Sequence, residues 1–199
     1  LTAIISALLI GNDQMVHYFY ENVGVLYGLF IAELVLVFFL AARVHRMAVG
    51  TATFVFFLYA TLNGVTLTPL VYLYTAESLA TVFFVTAGMF GAFALYGAVT
   101  KRDLSRMGNI LIMALIGLIL ASIVNWFLGS STLYWVITYL LVIVFCGLTA
   151  FDIQKIKAIR DEQMDEDTHT KTAILGALTL YLDFINLFIL LLRILGNRD

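Results

Sequence analysis

Three carboxylic acids stand inside long apolar runs of this 199-residue sequence: Glu33, Asp152 and Asp183. An ionised group at the centre of a bilayer costs at least about 2.5–3.5 kcal/mol, so each of them asks for a reason. Carboxyl groups in such places hold or pass protons, coordinate a passing cation, or fix helices in register through donors on a neighbour. Asp152 and Asp183 invite the first two readings together. Two carboxylates in a low-dielectric site cannot both ionise easily, so they share a proton and titrate in two macroscopic steps. Such a pair is a pH switch near neutrality and, once deprotonated, a ligand for a cation. Satisfied instead by Asn, Tyr or Arg, the same pair would hold helices in register.

For the pair to form, the segments that carry it must meet. If they are antiparallel helices, equal height requires the turn to lie midway between Asp152 and Asp183. That midpoint falls at residues 167–168, inside the polar stretch 164–169, about 15 residues or roughly 20 Å of helix from each carboxyl. The second segment carries a face suited to the meeting. Gly176, Thr179, Asp183 and Asn186 fall within about 80° at 100° per residue. A small and polar stripe on an apolar helix belongs against protein or water, which predicts a place near the centre of a bundle.

The rest of the chain is built to be buried in lipid. Hydrophobic residues are 62% and charged residues 12%, with a mean hydropathy of +1.01. A soluble domain is about half apolar and a quarter charged, and no soluble core could hide this excess. A helical span needs about 20 apolar residues. Reading from charge to charge gives spans at 23–42, 48–68, 79–99, 109–128, 134–153 and 172–195, preceded by an apolar 1–10 of half a span. The expected architecture is one all-α membrane domain over 1–199: a seven-transmembrane-helix bundle whose first helix is truncated. Net charge is −2, and no basic run suits a phosphate backbone, which speaks against nucleic acid. Membrane lipid is the expected surrounding.

Lys and Arg set the orientation, since loops rich in them stay cytoplasmic. Arg43, Arg46, Lys101, Arg102, Arg106, Lys155, Lys157, Arg160 and Lys171 fall in alternate loops and make up nine of the eleven basic residues. Arg193 and Arg198 lie on the other side. Seven spans then put the N-terminus in the cytoplasm and the C-terminus in the periplasm or outside the cell.

Smaller signals compete with plain packing. Pro69 near the end of its span can stop a helix cheaply. Gly88 and Gly91, with Gly97 beyond, offer close approach to a neighbouring backbone. Cys146 reads as packing filler. Residues 161–167 read as a solvated loop or helix end before a cation-attracting rim. Tyr18, Tyr20 and Tyr134 suit the membrane interface. His17, His45 and His169 stand alone, with no zinc spacing and no sign of a cofactor. Glu33 lies about 15 Å from Arg43 along one helix, so its partner must come from another span.

Several motifs carry a resemblance. The run Phe151-Asp152-Ile153-Gln154-Lys155-Ile156-Lys157 resembles the Asp-x-Gln-x-x-Lys signature of the transmembrane Bax-inhibitor-motif family. So does Leu180-Tyr181-Leu182-Asp183-Phe184-Ile185-Asn186-Leu187-Phe188, followed by Leu191-Leu192-Arg193. Ala87-Gly88-Met89-Phe90-Gly91 and Thr100-Lys101-Arg102-Asp103-Leu104-Ser105 are similar to the fourth span and following loop of its bacterial branch, which implies a bacterial inner membrane. The resemblance implies seven helices with the C-terminal one central and wrapped by the other six. It also implies that an N-terminal cytoplasmic stretch and part of the first span precede Leu1. By the same resemblance, Asp152 and Asp183 are the pH-sensing gate and Glu33 lies on the permeation path; Asp183 and Asn186, on the polar stripe of the last span, are expected on that path as well. The family scheme includes an arginine latch near the end of the second span. Val44 stands at that position, between Arg43 and His45 with Arg46 beyond, so Arg43 or Arg46 would have to serve.

The resemblance implies a pH-sensitive calcium leak, and with the acid pair it gives the leading expectation: a cation leak, for calcium, gated by protonation of Asp152 and Asp183, which would also be a transient calcium site. Calcium takes six to eight oxygens, and two or three carboxylates make a site for passage better than for storage. The alternative is a scaffold that modulates another membrane protein, such as a quality-control protease. An intramembrane aspartyl protease would carry Gly-x-Gly-Asp where this chain has Leu180-Tyr181-Leu182-Asp183, and a retinal receptor would need a lysine in the centre of the last span. The expectation is therefore not an enzyme.

Overall fold

The computed structural model describes residues 1–11, 13–160 and 165–197. Among them the chain is helical, with no strand. Eight α-helices follow in order: α1 (Thr2–Ile10), α2 (Asp13–Glu21), α3 (Val23–Arg43), α4 (Val49–Val71), α5 (Ala76–Val99), α6 (Ser105–Leu128), α7 (Ser131–Arg160) and α8 (Glu166–Leu195). The last six are long and apolar enough to cross a membrane. The expected partial span 1–10 is the nine-residue α1.

Two compact units divide these helices. The first takes α1 to α4, the start of α5 through Leu79, α8 as far as Leu178, and Asn197. The second takes α5 from Ala80, α6, α7, and Thr179–Gly196.

In the first unit α1 lies directly on α4. A Cβ added at Gly64 would come within 2.8 Å of both Ile5 Cβ and the Thr2 carbonyl oxygen, so glycine is what permits this approach. The Thr2 hydroxyl donates to the Ala60 carbonyl at 2.7 Å, and Ser6 and Thr68 are buried. The phenol of Tyr20 donates to the Pro69 carbonyl at 2.9 Å, giving that tyrosine a partner inside the protein. After α8, the Asn197 amide donates to the Ser78 hydroxyl at 2.9 Å and the Asn197 carbonyl accepts from Thr75.

In the second unit α7 is held at very short range by α5 and α6. A Cβ at Gly97 would lie 2.1 Å from the Ala150 carbonyl oxygen, one at Gly108 would meet the Phe151 ring at 2.5 Å, and one at Gly147 would meet Leu111 at 2.6 Å. Between α6 and α7, Gly129 adopts φ +62°, the left-handed conformation that glycine reaches without a steric penalty. Its N–H closes on the Asn125 carbonyl, while the Asn125 side chain accepts from the Ser130 amide. Cys146 is buried beside these contacts.

Three expectations change. Pro69 does not end its helix, because α4 continues to Val71. A proline in the last turn removes only one hydrogen bond there, and the Tyr72 and Leu73 amides still find carbonyls one turn back. Gly88 and Gly91 are exposed, with no neighbour within 4 Å of an added Cβ, and Gly97 alone makes the close approach. At 100° per residue Gly97 points about 180° away from Gly88, so the glycines never shared a face. Finally, the turn before the last helix does not lie at 167–168, because α8 already begins at Glu166.

That last difference has a local cause. Asp165 caps α8, its carboxylate accepting from the Thr168 amide at 3.1 Å. Hydrogen bonds from the Thr168 hydroxyl and amide hold its carboxyl below the usual carboxylate range. The cap is thus present at neutral pH and is lost as acidification passes through that lowered pKa. Glu166 and Asp167 occupy the first turn, where negative charge suits the helix dipole, and Asp167 pairs with Lys171. The acidic residues 165–167 are an exposed helix end, and the remainder of the acidic stretch, 161–164, lies outside the described residues. So does Arg198.

The glycine contacts give a direct test. Gly97→Ala forces a Cβ into backbone and lowers stability by about 1–3 kcal/mol. Gly88→Ala leaves stability unchanged or raises it by up to about 1 kcal/mol. Denaturation midpoints in detergent micelles measure both, and equal effects would contradict the packing described.

Candidate functional site

Asp152 sits one residue after the stretch 147–151 through which α7 touches α5 and α6, so its backbone is fixed by the tightest packing in the second unit. Asp183 sits in the middle of α8 and is 5% exposed. One residue on, the Phe184 ring lies edge-on to Phe83 and Phe90 of α5 at 5.8 and 5.5 Å, and Phe188 lies 6.5 Å from Phe83. Such pairs contribute about 0.5–1.5 kcal/mol each beyond their buried area and set the rotation of α8 at Asp183. Leu187 and Leu190, one and two turns further, are buried. From Leu178 to Ile194 no residue of α8 is exposed.

The carboxyl groups of Asp152 and Asp183 lie within hydrogen-bonding reach of each other. A carboxylate only accepts, so a bond between two of them requires a proton between them. The other oxygen of Asp183, Oδ2, is buried and has no hydrogen-bond partner. The two residues meet although they are not equidistant from the connection: Asp152 lies eight residues before Arg160 (160 − 152) and Asp183 seventeen after Glu166 (183 − 166). The equal-height rule of a symmetric hairpin is therefore not what joins them. Asn186 turns its amide back onto its own helix, donating to the Leu182 carbonyl at 2.8 Å.

Glu33 belongs to the first unit and is 6% exposed. Its partners come from α4: Asn63 Nδ2 donates to Oε2 at 3.2 Å, and the Thr66 hydroxyl bonds to Oε1. Thr66 is also within bonding distance of the Leu62 carbonyl, at 3.0 Å. A hydroxyl has one proton, so Thr66 serves both only if the carboxyl carries a proton and donates to Thr66. The Asn63 side-chain oxygen is buried without a partner. Arg43 and Arg46 are exposed, and among the described residues neither forms an ion pair.

The signature around Asp152 does more than supply an acid. Gln154 accepts from the Leu104 amide at 2.8 Å and donates to the Arg102 carbonyl at 2.8 Å. Lys157 donates to the Ala98 carbonyl at 3.0 Å, placing a positive charge at the C-terminal end of α5 where the helix dipole favours it. Gln154 and Lys157 lie about 60° apart on one face of α7, with Asp152 on the opposite one. One face thus clamps the α5–α6 connection and the other presents the acid. Sequence reasoning named Gln154 and Lys157 only as signature residues, and Lys157 as an orienting charge, without finding their partners, and it assigned no role to Asn63 or Thr66. The spacing Tyr59, Asn63, Thr66 marks a polar stripe on α4 that could have found the last two.

The family model described as "Inhibitor of apoptosis-promoting Bax1" matches residues 1–199. Inner membrane protein YbhL of Escherichia coli is 51% identical over 200 residues, covering the whole chain and 86% of that protein. A Borreliella burgdorferi protein is 45% identical over 165 residues, 82% of this chain and 71% of that one. A membrane protein of Streptococcus pyogenes is 37% identical over 201 residues, the whole chain and 87% of its own length.

Substitutions at Glu33 test the proton count. Glu33→Gln supplies a donor where the protonated acid would have one and changes stability by less than about 1 kcal/mol, whereas Glu33→Ala leaves buried groups unpaired and costs about 1–3 kcal/mol. Melting in detergent reads the difference. A Gln variant as unstable as Ala would show that Glu33 is held as an anion.

Proposed function

Because the chain belongs to the Bax-inhibitor family, we propose that it is an inner-membrane cation leak, for calcium, whose gate is the proton shared by Asp152 and Asp183. The observation that carries this reading is the pairing of half-buried Asp152 with buried Asp183, one oxygen of which, Oδ2, is left unpartnered. With the proton in place the pair is a hydrogen bond between α7 and α8 and the path is shut. Removing the proton leaves two like charges side by side, and unit charges about 4 Å apart repel by about 4 kcal/mol at an effective dielectric of about 20. That is enough to reverse a two-state equilibrium of a few kcal/mol. The freed oxygens then face the path and act as ligands for a passing cation.

Calcium is the ion best suited to carboxylate oxygens supplemented by carbonyls and water. Among the described residues no three of His, Cys, Asp or Glu come together as a ligand cluster, and an incomplete shell of this kind favours transit over storage. Asn186, one turn beyond Asp183, offers a side-chain oxygen to the same path, and Glu33 is a second proton-carrying station. Closure in this scheme rests on the shared proton, with Arg43 and Arg46 free to act as surface charges. The basic residues of the alternate connections favour a cytoplasmic side for those connections and, in this proposal, a periplasmic C-terminus.

Calcium influx into dye-loaded liposomes carrying the full-length protein tests the proposal. Influx rises between about pH 6 and about pH 8, by up to tenfold per unit below the midpoint. Asp152→Asn and Asp183→Asn both flatten the profile, with potassium flux as the selectivity control. A folded protein that passes no calcium at any pH ends the leak reading and leaves the pair as a register device, with protein partners the place to look next.

A further inference from the structure

On the second unit, beside the α5–α6 connection, lies a half-open cleft of about 420 Å³. Its walls are Asp103, Ser105 and Asn109 on one side and Phe151, Gln154 and Lys155 on the other. The polar groups have different occupations. Gln154 is spent on the connection's backbone, and Asp103 accepts from the Ser105 amide at 2.9 Å. Hydrogen bonds from the Ser105 hydroxyl and amide hold the Asp103 carboxyl below its usual range. Among the described residues the Asn109 amide has no hydrogen bond and the Lys155 ammonium no hydrogen bond or ion pair, its charge acting on Asp152 one turn before it. Phe151 packs on Gly108 and gives the cleft an apolar floor.

Two further observations say what kind of molecule fits. The segments that frame the cleft carry Lys101, Arg102, Arg106, Lys155 and Lys157 against the single surface acid Asp103. Below the cleft the same face of α6 becomes apolar without a break. Ser105 and Asn109 are followed at helical spacing by Met113, Ile116 and Leu120, which are 72%, 54% and 57% exposed. All five fall within about 80° of one another. A cationic, hydrogen-bonding head site that opens directly onto an exposed apolar stripe has the polarity of an amphiphile.

We propose that this cleft binds the headgroup of an anionic phospholipid, its phosphate taken by Lys155 and Asn109 and one acyl chain lying along Met113, Ile116 and Leu120. Basic clefts at the cytoplasmic ends of membrane helices recognise lipid phosphates through such charge complementarity. The bound lipid bridges the first turns of α6 and the last turns of α7. It therefore stabilises the packing that fixes Asp152, whatever ion the protein carries.

Delipidated full-length protein in non-ionic detergent is titrated with phosphatidylglycerol or phosphatidylcholine, and bound lipid is counted by native mass spectrometry alongside the melting temperature. Phosphatidylglycerol binds at least about tenfold more tightly and raises the melting temperature by mass action. Lys155→Gln and Asn109→Leu, the latter filling the cleft, each remove most of that preference. Lys171→Gln, a basic residue paired with Asp167 on α8, leaves it intact. If Asn109→Leu fails to fold, Lys155→Gln with Ser105→Ala carries the test. Equal binding of the two lipids overturns the proposal, and so does a preference that survives the cleft variants and falls equally with Lys171→Gln, which would be general surface charge. Displacement of the lipid by millimolar inorganic phosphate would make this a free-anion site and overturn the assignment to lipid.

Discussion

A carboxyl group carried into a low-dielectric interior must bring its satisfaction with it, because water is not there to supply it. The molecule meets this constraint twice in different ways. Glu33 is answered by two neutral groups of α4, the amide of Asn63 and the hydroxyl of Thr66. Asp152 and Asp183 are answered by each other, which works only while a proton is held between them. The first arrangement spreads the acid's satisfaction over two neutral groups of another helix. The second confines it to one proton held between two acids.

A hydrogen bond of this kind needs a rigid frame, since an ångström of slack would let water or a lipid carbonyl replace one partner. The frame is made from absent side chains. Gly97, Gly108 and Gly147 let α5 and α6 approach α7 closely around residues 147–151, immediately before Asp152. Two residues past the acid, Gln154 begins the clamp on the α5–α6 connection, and Lys157 completes it. On the other side, Phe184 is held edge-on by Phe83 and Phe90. The acid is bracketed along the chain by packing before it and hydrogen bonding after it.

The long helices were legible in the sequence because lipid imposes a length and a composition that ordinary cores do not. The boundaries were less so, for a reason visible at α7 and α8. The apolar window ends near residue 153 and resumes near 172, yet helix continues to Arg160 and restarts at Glu166. Hydropathy reports where lipid stops, whereas caps such as Asp165 decide where helix stops. The acids Asp152 and Asp183 stood out because charge is rare in apolar runs. Their donor-bearing neighbours did not, since Asn63 and Thr66 are unremarkable residue types whose meaning appears only when Glu33 of another helix is set against them. The glycines misled for a similar reason. Spacing along one helix counts candidates, but rotation about its axis decides which of them meets a neighbour.

Helix α8 leaves the ribosome after the seven helices described before it, and residues from it enter both compact units, through Leu178 in one and from Thr179 in the other. During synthesis, then, neither unit can be finished while the chain is still being inserted. The partially inserted protein holds Asp152 without its hydrogen-bonding partner and Phe83 and Phe90 without Phe184. A chain arrested short of α8 thus displays an unsatisfied acid in the bilayer, a mark by which surveillance can distinguish unfinished molecules from complete ones.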